Sequence, residues 1–84
     1  MKILVVAGTY YQYVDWCRDH GERPSGGRCV YVLNSLSLRG YGFGQVAYVL
    51  TGTYWERQGW YQIRSLLLSI GAMPCGGDDE EGVL

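Results

Sequence analysis

One short pattern of glycine, threonine and aromatic residues occurs twice in the chain, and its chemistry is that of ligand binding. Gly8-Thr9-Tyr10-Tyr11 and Gly52-Thr53-Tyr54-Trp55 are near copies, 44 positions apart. Glycine after a strand lets a ligand approach the backbone, and threonine caps the helix that follows. Free N–H groups at a helix start attract anions, and aromatic rings offer faces on which a base stacks. The pattern therefore predicts a site for a phosphorylated, ring-bearing molecule, although two turns that merely share favourable chemistry would look the same.

Two charged residues extend the second copy toward Gly59. We call residues 8–11 the first GTY loop and residues 52–59 the second GTY loop. The planar guanidinium of Arg57 is suited to phosphate, and Glu56 is suited to accept hydrogen bonds from a ribose or a base. A solvated charge pair is the alternative interpretation. The predicted ligand-binding residues are Gly8, Thr9, Tyr10, Tyr11, Gly52, Thr53, Tyr54, Trp55, Glu56 and Arg57.

Catalytic and metal-binding patterns are incomplete in this sequence. Cys17 and His20 stand three positions apart, which is compatible with a metal site or a Cys–His nucleophile. Cys29 and Cys75 would have to complete such a site from no recognised spacing, so we favour a core cysteine and a helix-ending histidine. We predict no catalytic residue, no metal and no cofactor. Whether the protein is an enzyme stays open. We lean toward a protein without catalytic activity, and a hydrolase that uses Glu56 is the remaining alternative.

The glycine-rich stretch before the third apolar run offers a different function. Residues 39–43, Arg-Gly-Tyr-Gly-Phe, resemble the start of the RNP1 motif of RNA recognition motif domains, which implies single-stranded RNA binding through aromatic rings. The chain departs from that motif at Gly44 and Val46, and the first strand has Leu4 where the partner motif has an aromatic residue. We also predict no further strand after Ile70. RNA binding is therefore kept as an alternative.

The apolar runs and helical spacings define an α/β chain of alternating elements. We predict strands at residues 2–7, 29–33 and 45–51, helices at residues 10–20 and 58–70, and a helical turn at residues 35–39. A right-handed crossover places the second strand beside the first. The expected fold is a minimal three-stranded parallel layer of order 2-1-3, Rossmann-like or flavodoxin-like. Both GTY loops would then face each other at the topological switch point, where such sheets bind ligands.

Length and composition indicate the number of domains, the charge, the oligomeric state and the location of the protein. The 84 residues make one small domain, assigned to residues 1–71, followed at 72–84 by a disordered acidic tail that contains Asp78, Asp79, Glu80 and Glu81. A net charge of −1 gives no general attraction to nucleic acid. Small size and an aromatic content of 14% predict a homo-oligomer. We see neither a signal peptide nor a membrane span, so we expect a cytoplasmic protein.

The two GTY loops, the Asp15-Trp16 pair and the aromatic-rich chain together resemble small Rossmann-like proteins encoded by actinobacterial phages, over residues 3–70. Phages encode small proteins that sequester nucleotide-derived immune signals, and such a sponge needs a pocket but no catalytic group. The resemblance implies non-catalytic binding of a nucleotide or another phosphorylated small molecule, in the host cytoplasm. The alternative is a protein-interaction or structural accessory module whose aromatic residues form an interface.

Overall fold

The computed structural model describes residues 2–75 and shows an α/β chain with a parallel sheet. The described elements, in chain order, are β1 (Lys2–Ala7), α1 (Tyr10–Asp19), β2 (Cys29–Tyr31), a 3₁₀ turn (Ser35–Leu38), β3 (Val46–Thr51), a second 3₁₀ turn (Tyr54–Glu56), α2 (Trp60–Ser69) and β4 (Met73–Pro74). The predicted order of three strands and two helices is confirmed. The fourth strand was not predicted.

All neighbouring strands of the sheet run parallel, in the order β2-β1-β3-β4. Central β1 pairs with β3 over its whole length, from Lys2 opposite Val46 to Ala7 opposite Thr51. On its other side β1 pairs with β2, where Ile3 lies opposite Cys29. The predicted 2-1-3 arrangement is therefore present within a four-stranded Rossmann-like sheet.

The fourth strand corrects both the strand number and our expectation that none follows Ile70. Met73 and Pro74 pair with β3, and the Cys75 N–H donates to the carbonyl oxygen of Tyr48 at 2.8 Å. A two-residue strand that contains proline carries no alternating or apolar signal, and proline is tolerated at a sheet edge. The stretch that we assigned to the tail thus begins within the sheet. Its acidic residues lie outside the described part of the chain.

The sheet is covered on both faces, which explains the continuous apolar run of β1. Leu4 and Val6 pack with the α2 residues Ile63 and Leu67 on one face. Ile3, Val5 and Ala7 point to the other face, where Tyr13 and Cys17 of α1 cover them. The core is thus two apolar layers, one on each side of a single sheet, and both helices begin at its carboxyl edge.

The two helices begin differently although each follows a GTY loop. At α1, the hydroxyl of Thr9 accepts the N–H of Gln12, and the Gln12 side chain reaches back to the backbone of Thr9 in a capping box. At α2, the N-cap is Gly59 in the left-handed conformation, with φ +77° and no capping side chain. The start of α1 is thus capped by side chains, whereas the start of α2 is not.

Candidate functional site

The structure brings the two GTY loops together through one side chain, Gln12 of α1. The Oε1 atom of Gln12 accepts hydrogen bonds from the backbone N–H groups of Gly8 at 2.9 Å, Thr53 at 3.0 Å and Thr9 at 3.3 Å. Its Nε2 atom also donates to the hydroxyl of Thr53 at 3.1 Å. Two N–H groups of the first loop, those of Gly8 and Thr9, are therefore occupied by an amide oxygen of the chain itself.

Two glycines make this close approach of the loops possible. A Cβ atom on Gly8 would overlap the Thr53 hydroxyl, and one on Gly52 would overlap the Gln12 side chain. Gly52 also has φ +59°, a conformation that side chains rarely adopt. Both predicted glycines thus serve the contact between the loops.

Arg57 lies across the carboxyl ends of the three strands β1, β2 and β3. Its Nη2 donates to the carbonyl oxygen of Gly8 at 2.9 Å, and its Nη1 reaches that of Leu33 at 3.4 Å. The guanidinium carbon stands 5.1 Å from the ring centroid of Tyr31, within the range of a cation–π contact. The buried Nε atom has no hydrogen-bond partner. Arg57 is thus held at the switch point by carbonyl groups and a ring.

No acidic group among residues 2–75 neutralises Arg57. The ion pairs found there join Arg18 to Asp15 and Arg28 to Glu22. The neighbouring Glu56 is exposed and makes no ion pair with the described residues. The half-buried Arg57 therefore carries a positive charge that only neutral groups contact.

The second GTY loop does not cap a helix as the first one does. Thr53 makes no side-chain capping bond, since its hydroxyl is engaged by Gln12, and a 3₁₀ turn follows it instead of an α-helix. The chain then runs to Gly59, where α2 begins. Within the described part of the chain, the first-turn N–H groups of Tyr61 and Gln62 have no acceptor. The first-turn N–H groups of Tyr10 and Tyr11 in α1 are likewise without an acceptor among the described residues, so open donors lie at the starts of both helices.

Two clefts adjoin at the start of α2. Both volumes, about 370 Å³ and about 450 Å³, fall within the range of small-molecule sites. The aromatic cleft is lined by Trp55, Arg57, Gly59, Trp60, Tyr61 and Gln62. The serine cleft is lined by Ser35, Tyr61, Gln62, Ser65 and Leu66. Tyr61 and Gln62 form the wall that the two clefts share.

The predicted aromatic residues take different places. Trp55, exposed to 57%, lines the aromatic cleft. Tyr54 is half-buried, packs against the core and meets Trp55 and Trp60 edge to face. Tyr10 packs beside Tyr31, and the exposed Tyr11 makes no ring contact with another described residue. Tyr10 and Tyr11 thus line neither cleft.

Several residues of this region were not predicted from the sequence. Gln12 stands three positions after Thr9, and this Thr-x-x-Gln spacing is the signature of a capping box, so a signal for it existed. Tyr61, Gln62 and Ser35 had no such signal, because their clefts arise from the packing of α2 beside a distant 3₁₀ turn.

The cysteines and the histidine form no site. Cys17 lies on the buried face of α1. His20 stacks on Trp16, and the Nδ1 atom of His20 lies 2.8 Å from the carbonyl oxygen of Trp16. Burial, reinforced by the neighbouring Cys17, raises the pKa of the Cys29 thiol to about 12. Among residues 2–75 there is no group of three or more His, Cys, Asp or Glu that could hold a metal ion.

The proposed RNA-binding aromatics lie before β3, in the loop that leads into it. Tyr41 is half-buried against the core. Phe43 is exposed to 80%, and a Cβ on Gly71 would meet its ring. Neither residue belongs to a strand, so the sheet does not present them as a stacking surface of the kind that RNA recognition motifs use.

Together the fold and the carboxyl edge of its sheet define a small Rossmann-like α/β protein with two clefts beside a topological switch point. No family model, curated protein or solved structure matches the chain. No helix within residues 2–75 is long and apolar enough to cross a membrane.

Proposed function

We propose that the protein binds a nucleotide or another phosphorylated, ring-bearing small molecule beside the second GTY loop and retains it unchanged. The observation that carries this proposal is the position of Arg57. Its cation has no acidic partner among the described residues, and it lines a cleft whose other walls include Trp55 and Trp60. A phosphate would supply the missing negative charge, and a planar ring would stack on the exposed tryptophan.

The start of α2 adds a second attraction for phosphate. The N–H groups of Tyr61 and Gln62 are open, and the N-terminal end of a helix carries a partial positive charge. On this proposal the first GTY loop acts indirectly. The Gly8 carbonyl and the Gln12 bridge hold Arg57 and the second loop in place, while the aromatic cleft receives the ligand.

Binding without conversion is also what sequestration requires. A phage-encoded sponge for a nucleotide immune signal needs a pocket with a cation and a stacking ring, and it returns the ligand intact. The proposal is therefore tested first by incubating the protein with a nucleotide-rich cell extract, followed by native mass spectrometry and heat release. A phosphorylated molecule released with unchanged mass is the expected result, and release of a converted product would contradict it.

The same ligand then tests the site through a matched pair of substitutions. Arg57→Gln should weaken binding about tenfold or more, because a charge-assisted hydrogen bond to phosphate is lost. Arg64→Gln removes the same charge from an exposed arginine of α2 that lines neither cleft, and in about 0.15 M salt, which screens distant charges, it should weaken binding much less. Calorimetric titration measures both, and thermal unfolding checks that each variant is folded. Equal affinities for the two variants would remove Arg57 from the site.

A protein-interaction function is the second candidate, and exposed apolar side chains favour it. Six large ones, exposed to between 50% and 80%, lie on segments at the carboxyl edge of the sheet: Tyr10, Tyr11, Leu33, Leu36, Trp55 and Tyr61. Such surface on a small protein is typical of an interface with a second copy or another protein. A complex that survives Arg57→Gln but is lost in Leu36→Ser, judged by light scattering, would favour this function.

A further inference from the structure

The ligand class can be narrowed from the arrangement of the two clefts, if the proposed function holds. The aromatic cleft and the serine cleft share Tyr61 and Gln62, so they are neighbouring compartments of one surface. Each has the volume of a small-molecule site. We propose that the ligand is a dinucleotide, with one nucleoside in each cleft and the phosphate link at their junction.

The residues of the two clefts include the positive charge and the hydrogen-bond donors that a phosphate link requires. Arg57 lines the aromatic cleft, and its Nη1 reaches the carbonyl oxygen of Leu33, two residues before Ser35 of the serine cleft. The open N–H groups of Tyr61 and Gln62 belong to the two residues that form the shared wall. The cation thus belongs to the aromatic cleft and the donors to the residues that both clefts share. A mononucleotide in either cleft would leave the other cleft empty.

The two clefts differ in the chemistry that they offer to a base. Trp55 and Trp60 give the aromatic cleft flat stacking surfaces, which accept any base. Ser35 and Ser65 give the serine cleft hydroxyl groups that both donate and accept hydrogen bonds. The base of the second nucleoside would therefore be recognised through hydrogen bonds to its polar edge, whereas the first base would be held by stacking. This asymmetry makes the serine cleft the place where the second base is selected.

The test compares four probes by calorimetric titration: the 5′-monophosphates of adenosine and guanosine, and the linear dinucleotides 5′-phosphoadenylyl-adenosine and 5′-phosphoguanylyl-guanosine. At least one dinucleotide should bind about tenfold or more tightly than its mononucleotide, because its second ring gains contacts in the serine cleft without a second loss of translational freedom.

Two substitutions on α2 assign that gain to the serine cleft. Ser65→Trp fills this cleft and should reduce the dinucleotide affinity to that of the mononucleotide measured with the same variant. Ser69→Trp makes the same change at an exposed serine of α2 that lines neither cleft, and should preserve the dinucleotide advantage.

The possible failures are distinguishable. If both mononucleotides bind as tightly as their dinucleotides, or if Ser65→Trp keeps the dinucleotide advantage, the two-cleft inference is overturned and the proposed function stands. If none of the four probes binds, the inference fails. The proposed function fails only if the protein incubated with the cell extract also releases no phosphorylated molecule.

Discussion

Gln12 determines which backbone donors of the two GTY loops remain open to a ligand. A neutral amide oxygen takes three N–H groups that would otherwise be available to an anion. The same side chain also holds the hydroxyl of Thr53, a residue 41 positions away in the chain. Open backbone donors thus remain at Tyr10 and Tyr11 of α1 and at the start of α2, where no side chain caps the helix.

Replacing Gln12 tests its bridging role through stability. Gln12→Ala should lower the free energy of unfolding by about 1–3 kcal/mol, because the N–H groups of Gly8 and Thr53 lose their acceptor while water reaches them only in part. Gln12→Glu keeps an acceptor oxygen and should restore much of the loss near neutral pH. Urea unfolding gives these values.

The matched control for this series is Gln58→Ala, which truncates an exposed glutamine that makes no side-chain hydrogen bond with the described residues. Its effect should stay within about 0.5 kcal/mol, as for ordinary surface substitutions. If Gln12→Ala lowered the free energy of unfolding no more than this control, the bridge between the loops would contribute nothing to stability.

Among the elements, those with a long apolar or helical pattern were predictable from the sequence. The six-residue strands β1 and β3 and the ten-residue helices α1 and α2 repeat such patterns over enough positions to be recognised. Strand β4 could not be predicted, because two residues that include Pro74 carry no period. Its formation depends on the exposed edge of β3, which exists only once the sheet has assembled.

The repeat itself was a good guide to the sheet and a poorer guide to the helices. Trp16 and Trp60 match in the sequence, but Trp16 lies in the middle of α1 and Trp60 is the first residue of α2. Thr53 and Glu56 have the spacing of a capping box, yet the Thr53 hydroxyl is bonded to Gln12 instead. A local pattern cannot reveal a hydrogen-bond partner from another element, here Gln12 of α1, so the difference between the two copies was not predictable.

The packing of α1 on the sheet makes the reactivity of the thiols predictable. Cys17 is fully buried, Cys29 is exposed to only 6%, and burial raises the pKa of Cys29 to about 12. Cys75, at the end of β4, is exposed. Iodoacetamide reacts with thiolates, so brief treatment at pH 8 should add one label to the folded protein, at Cys75.

Mass spectrometry reads this result directly, and the unfolded protein provides its control. In concentrated denaturant all three cysteines should be labelled, which shows that the reagent reaches each of them once the chain is open. Rapid labelling of Cys17 or Cys29 in the folded protein would mean that α1 does not stay packed on β1 and β2.

For the molecule as a whole, charge is divided unevenly along the chain. The sequence has 7 Lys and Arg and 8 Asp and Glu, and 4 of these acids lie at positions 78–81 with no basic residue after Cys75. Residues 1–75 therefore carry 7 − 4 = +3, against −1 for the full chain. At 0.01 M salt the screening length of about 30 Å exceeds the largest extent of the structure, 28 Å, so distant charges also act on the clefts at low ionic strength.

This division predicts that the four acidic residues oppose the binding of an anionic ligand. A chain that ends at Cys75 should bind the nucleotide found for the full chain several-fold more tightly at low salt, because long-range repulsion is removed. The gain should vanish near 1 M salt, where the screening length falls to about 3 Å.

The matched control keeps the full length and neutralises the charges with Asp78→Asn, Asp79→Asn, Glu80→Gln and Glu81→Gln. Calorimetric titration of both variants across salt concentrations should give the same gain, since each removes the same charge. A gain seen only in the shortened chain, or one that persists at high salt, would show that the acidic stretch acts by contact instead of by its field.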